Sequence, residues 1–225
     1  MDRNIFYEKK LYPLQDVVLA SVNERTDVFY LTGGTALSRF YLGHRYSDDL
    51  DFFTRQEIGD FSVLVNRLAG ALNTLGLTYE AETVTGTFSR IYVMRDDVKL
   101  QVDFVNEPVF HYGDISNVQG VRVDNVLNIL ANKISAIERY EVKDLADIHA
   151  IACKYAFDWK HVVDIASKKA LIDPITVSRI IEEMPAEELN IVKWVCPPDV
   201  HKICTGLHTI ARDILTGNTN TLYRK

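Results

Sequence analysis

The chain has 225 residues, 47% hydrophobic and 25% charged, with a net charge of −6. This apolar fraction excludes a disordered chain, and three cysteines in unrelated contexts (Cys153, Cys196, Cys204) form neither a disulfide framework nor a zinc motif, so the cytoplasm is the expected compartment. No uncharged run approaches the ~20 apolar residues of a membrane helix, no signal peptide follows Met1, and the negative charge argues against coating nucleic acid through a broadly basic surface.

The charge is uneven along the chain. Residues 1–115 carry 11 basic and 17 acidic side chains, whereas residues 116–225 carry 14 of each. In chain order, Val28–Thr32 reads as a short strand ended by Gly33-Gly34, and Thr35–Leu42 as the first turns of a helix. Leu50–Thr54 is a second strand. Asp60 precedes a helix with Phe61, Leu64, Val65, Leu68, Leu72 and Leu75 on one face, and Gly76 is its natural stop. Leu77–Val84, Ser89–Met94 and Lys99–Val105 alternate as strands, the last two joined by a turn at Asp96-Asp97.

Beyond Asp124 the pattern becomes helical. Asp124 or Asn125 caps a helix carrying Val126, Ile129, Leu130, Ile134 and Ile137, a second helix starts near Val142, and others span 158–169, 174–184, 187–195 and 199–215. The expected fold class is α+β. A mixed sheet with flanking helices fills residues 1–115, and a helical bundle fills residues 116–225 and packs on it.

Chemistry concentrates at Asp49-Leu50-Asp51. On a strand, residues i and i+2 share a face, so both carboxylates project together while Leu50 and Phe52 project oppositely. Like charges that close are costly unless a cation lies between them, and a hard divalent ion with oxygen ligands satisfies them. The alternative, two solvated acids at a sheet edge, sits poorly with the apolar neighbours Leu50, Phe52 and Phe53. Gly33-Gly34, between strand and helix, either lets backbone N–H groups approach a phosphate or simply forms a tight turn. Asp103 lies opposite the Leu100, Val102 and Phe104 face, and faces either solvent or the same site as the pair.

Gly-Gly, a helix, Asp-x-Asp and a lone Asp on a later strand together resemble the nucleotidyltransferase superfamily typified by DNA polymerase beta. More closely, Gly33-Gly34-Thr35-Ala36-Leu37 with Arg45-x-Ser47-x-Asp49-x-Asp51, followed by Lys133, Arg139, Lys143-Asp144 and Asp147, resembles the AbiEii family of abortive-infection nucleotidyltransferase toxins. The resemblance implies Mg²⁺, or Mn²⁺ in its place, held by Asp49, Asp51 and Asp103, with Asp103 also a general base. It assigns Gly33, Gly34, Thr35 and Ser47 to the triphosphate, and Arg45, Arg139 and Asp144 to nucleotide binding. Lys133 would neutralise the leaving pyrophosphate from the inter-domain cleft, and Asp147 joins the catalytic set.

The implied activity moves an NMP from an NTP to a hydroxyl, at a tRNA 3′ end or on a protein. The implied setting is a type IV toxin–antitoxin or phage-defence pair with a DNA-binding regulator encoded nearby, and no membrane. The competing readings are a non-catalytic nucleotide- or RNA-binding module on the same fold and a small-molecule transferase acting on aminoglycoside-like acceptors. His44, Asp48 and Cys153 carry no motif, and Cys153 reads as a core residue.

Overall fold

The computed structural model describes residues 3–224. Two compact units are present. The first comprises the chain up to Ala36 with residues 46–109 and 114–124; the second comprises 37–45, 110–113 and the chain from Asn125 onward.

The first unit opens on α1 (Arg3–Phe6), which runs through a π-helical turn at Tyr7–Leu11 into α2 (Tyr12–Arg25). No helix was expected there. Gln15 and Ser21 are buried on α2 beside Leu14, Val18, Leu19 and Val22, so its inner face is not an apolar stripe and periodicity conceals it. A seven-stranded mixed sheet follows, in the order β3-β4-β5-β2-β1-β7-β6.

The strands are β1 (Tyr30–Thr32), β2 (Leu50–Thr54), β3 (Thr78–Val84), β4 (Phe88–Arg95), β5 (Val98–Asn106), β6 (Ser116–Val118) and β7 (Val121–Val123). The first five match the expected strands to within two residues. Strands β6 and β7 are too short for alternation to reveal, and they turn through Gln119 and Gly120, both at positive φ. Helix α3 (Gly33–Ala36) follows β1 and continues as a π-helical turn over Leu37–Leu42. Helix α4 (Phe61–Asn73) buries Phe61, Val65, Leu68, Ala69 and Leu72, while Leu75 lies beyond its end and is exposed.

Inside the first unit Phe52 stacks on Phe104 across β2 and β5 at 5.3 Å between centroids, and Phe29 closes on Phe104 at 5.1 Å. This apolar layer occupies one face of the central strands, so residues alternating with it emerge on the other.

The second unit is helical: α5 (Val126–Ser135), α6 (Val142–Lys154), α7 (Trp159–Ser167), α8 (Pro174–Glu183) and α9 (Val200–Thr216). Asn125, not Asp124, caps α5, accepting from the Asn128 N–H at 2.9 Å. Asp158, Asp173 and Asp199 cap α7, α8 and α9 in the same way. The helix expected over 187–195 forms only a 3₁₀ turn at Ala186–Ile191. Beyond it Trp194 makes a β-bridge with Arg45.

Candidate active site

In the first unit the sheet register places four polar side chains in one row. Thr32 pairs with Asp51 across β1 and β2, Asp51 with Asp103 across β2 and β5, and Asp103 with Arg90 across β5 and β4. All four emerge opposite Leu50, Phe52, Val102 and Phe104, the face the sequence assigns to Asp51 and Asp103. Asp49 stands one residue ahead of β2, half-buried, and its carboxylate has no hydrogen-bond or ion-pair partner among the described residues.

Gly33 fits this site for two reasons. Its φ of +71° suits glycine, and a Cβ there would stand 2.6 Å from Asp51 Oδ2. The Gly-Gly turn therefore brings backbone against the Asp51 carboxylate. Thr35, fully buried, donates its hydroxyl to the Asp49 carbonyl and so ties the start of α3 to the Asp-x-Asp segment. Ser47 is buried, and its carbonyl accepts from Gln15 Nε2 at 3.2 Å. Asp48 is exposed and receives the Tyr7 hydroxyl; burial first, then Asp48, pushes the Tyr7 phenol far above its ordinary range.

Asp103 is bound differently from the Asp-x-Asp pair. Arg90 forks onto it, Nε to Oδ1 at 2.8 Å and the second guanidinium nitrogen to Oδ2 at 2.7 Å, and Gln101 adds a bond at 3.2 Å. No sequence signal selects Arg90, since a strand arginine is ordinary until register places it beside Asp103. Asp124, fully buried, accepts from the Thr32 hydroxyl at 2.7 Å and is a further acid of this unit that the sequence singled out only as a helix cap.

Among the described residues no three His, Cys, Asp or Glu side chains form a ready metal cluster. Asp49 and Asp51 nevertheless fit a divalent cation of the Mg²⁺ type. Such an ion is commonly held by one or two carboxylates, the remaining positions going to water and substrate phosphates.

The second unit holds a separate buried charge cluster. Asp147, on α6, accepts from Arg45 Nε at 2.6 Å, the other arm of Arg45 at 2.8 Å and His44 Nε2 at 2.8 Å, and it pairs with Lys133 Nζ at 2.6 Å. Lys133 also donates to Asp144 at 2.7 Å, and exposed Arg139 stands 3.9 Å from Asp144. Burial alone would raise the Asp147 carboxyl, but Lys133 and Arg45 outweigh it and hold the acid well below the usual range. Burial alone would likewise pull the Lys133 ammonium down, yet Asp147 and Asp144 push it above an ordinary lysine. Arg45, Lys133, Asp144 and Asp147 thus form a charge-balanced buried quartet, joined by His44, which no metal-ligand spacing could have revealed.

Cys153 is exposed on α6, 3.7 Å from His149 Nε2, so it is not the core residue the sequence suggested.

A sequence model of the AbiEii family, described as the nucleotidyl transferase AbiEii toxin of a type IV toxin–antitoxin system, matches residues 17–188. The chain belongs to this family. Every candidate residue from Gly33 to Asp147 lies within the AbiEii match, and the class of the family is that of nucleotidyltransferase enzymes. A protein of Aquifex aeolicus (strain VF5), aq_aa25, is 30% identical over 142 residues, which cover 63% of this chain and 66% of that protein. The AbiEii fold is also that of JHP933 from Helicobacter pylori, with a TM-score of 0.67 at 19% identity over 92% of this chain and 90% of the other. MenT4, a nucleotidyltransferase toxin of Mycobacterium tuberculosis H37Rv, matches with a TM-score of 0.63 at 15% identity, over 92% of this chain and 82% of the other. As a type IV family, AbiEii implies an antitoxin partner and a nucleotide substrate. No helix among the described residues is long and apolar enough to cross a membrane.

Proposed function

We propose that this chain transfers an NMP from an NTP to a hydroxyl acceptor and releases pyrophosphate, as the toxin of a type IV or phage-defence pair acting in the cytoplasm. The observation that supports this most is the Asp49–Asp51 pair: one carboxylate lacks a partner among the described residues, and the other lies against the Gly33 backbone. Two adjacent acids repel each other unless a cation lies between them, and a site meant only to bind RNA would gain nothing from keeping them.

Asp49 and Asp51 would hold Mg²⁺, or Mn²⁺, which when bound screens triphosphate charge and lowers the pKa of an attacking hydroxyl. The backbone at Gly33 and Gly34, with Thr35 and Ser47, would receive the phosphates at the start of α3. Asp103 would serve as third ligand or as base with Arg90 competing for it, since the guanidinium occupies one site on each of its oxygens.

Lys133, Asp144 and Asp147, with Arg139 beside Asp144, would act through Arg45. Asp147 fixes the Arg45 guanidinium in a bidentate grip, two residues ahead of Ser47 and four ahead of Asp49. Lys133 and Asp144 complete that grip, so the expectation of a free phosphate-neutralising lysine gives way to a positioning role. The partner would be an antitoxin, a DNA-binding regulator encoded nearby.

Incubation of the purified chain with Mg²⁺, each α-labelled NTP, and total tRNA, a protein extract or an aminoglycoside tests the reading. Label on tRNA 3′ ends or on protein identifies the acceptor class. Label on an aminoglycoside alone would point to a small-molecule transferase, and NTP binding without pyrophosphate release would point to a binding module.

A further inference from the structure

A pocket of about 480 Å³ lies wholly within the helical second unit, between the start of α6 and the segment joining α8 to the Ala186–Ile191 turn. Val142 and Ile180 form its buried wall, and Tyr140 and Ile191 stand on its rim, 62% and 67% exposed. Tyr140 occupies the left-handed region at φ 55°, where the backbone ends the 3₁₀ turn Ile137–Arg139 and turns its ring outward. Glu141, Glu183 and Glu188 also line the pocket, and their carboxylates make no ion pair or hydrogen bond with any described residue.

The charge around it is one-sided. Its lining holds three glutamates and neither lysine nor arginine. That potential repels nucleic acid and nucleotides, so the pocket does not suit the phosphate chemistry of the first unit. An apolar floor ringed by unpaired carboxylates complements a cationic ligand with an apolar anchor. The exposed rim decides between a small cation and a chain. Tyr140 and Ile191 keep most of their surface in water, more than a ligand confined to the floor would cover, whereas a peptide crossing the pocket covers both.

We propose that this pocket docks a basic, amphipathic peptide segment of a partner protein, with an aliphatic or aromatic anchor against Val142 and Ile180 and flanking Lys or Arg beside Glu141, Glu183 and Glu188. None of these residues belongs to the proposed transfer site, so docking and catalysis are separable.

The test is a display library of random 12-residue peptides panned against the full chain, with fluorescence anisotropy of the enriched peptides. A consensus of one or two apolar anchors among Lys and Arg is expected, and binding should weaken as salt rises. The double variant Glu183→Lys/Glu188→Lys should weaken binding by ~10-fold or more, with Glu183→Gln/Glu188→Gln intermediate and Tyr140→Ala weakened several-fold. All three should retain the parent's circular dichroism spectrum and NMP transfer. No basic consensus, or binding by the Lys double variant within about threefold of the parent, overturns the proposal. Complete displacement of the peptides by micromolar spermine also overturns it, in favour of a small organic cation.

Discussion

Arg90 grips Asp103 with both arms of its guanidinium, at 2.8 and 2.7 Å, directly across the strand pair from Asp51. Asp103 is 6% exposed, so Arg90→Ala leaves a buried carboxylate with only Gln101 and should cost about 1–3 kcal/mol in urea unfolding. The same change removes a positive charge two strands from Asp51, on the carboxylate that pairs with Asp51 in the register. Mn²⁺ affinity, read by electron paramagnetic resonance, should tighten by roughly threefold to tenfold; unchanged affinity would separate Asp103 from the metal site.

Gly33→Ala is expected to be far more damaging than Gly34→Ala. Gly33 has φ +71°, and a Cβ there meets Asp51 Oδ2 at 2.6 Å. Strain of about 1–2 kcal/mol from the left-handed backbone adds to displacement of the Asp51 carboxylate. Transfer of labelled NMP should fall by ~100-fold or more while the protein stays folded by circular dichroism.

Removing one member of the buried quartet leaves the others uncompensated. Asp147→Asn should destabilise by about 3–5 kcal/mol, and Lys133→Met by a similar amount. Because the two side chains touch at 2.6 Å, the double variant should lose much less than the sum, which a double-mutant cycle in urea reads directly.

Acid sensitivity should come in two stages. His149 is pushed down to about 4, by burial first and by His44 second, and it packs where a Cβ on Gly206 would stand 2.5 Å from its Nε2. The unfolded histidine titrates near 6.5, so the unfolded state binds the extra proton first and stability falls as pH drops from about 6.5 to about 4, by roughly 2–3 kcal/mol. Asp147, held below its unfolded value, contributes stability that is present above about pH 4 and is lost only as pH falls further. His149→Gln should remove the first stage and leave the second, as measured by urea midpoints between pH 7 and pH 3.

Strands β2 to β5 were legible because they run over five to nine residues with polar and apolar positions interleaved, and Asp49, Asp51 and Asp103 stood out as acids among Leu50, Phe52, Val102 and Phe104. Helix α2 was not legible, since Gln15 and Ser21 occupy its buried face. The 187–195 segment misled because apolar spacing suited a helix, while pairing of Trp194 with Arg45 took the chain elsewhere. Arg90 and His44 could not be found from sequence at all. Arg90 gains meaning from cross-strand register with Asp103, and His44 from an Asp147 more than a hundred residues away.

The central claim is that the Asp49–Asp51 pair carries the reaction. Its most direct measurement is NTP-dependent pyrophosphate release by the parent chain, Asp49→Asn and Asp51→Asn, each with a matched thermal melt. Both variants should lose at least ~100-fold in rate with little change in melting temperature, because each keeps side-chain shape and removes only the charge. Release within tenfold of the parent by either folded variant would contradict the account.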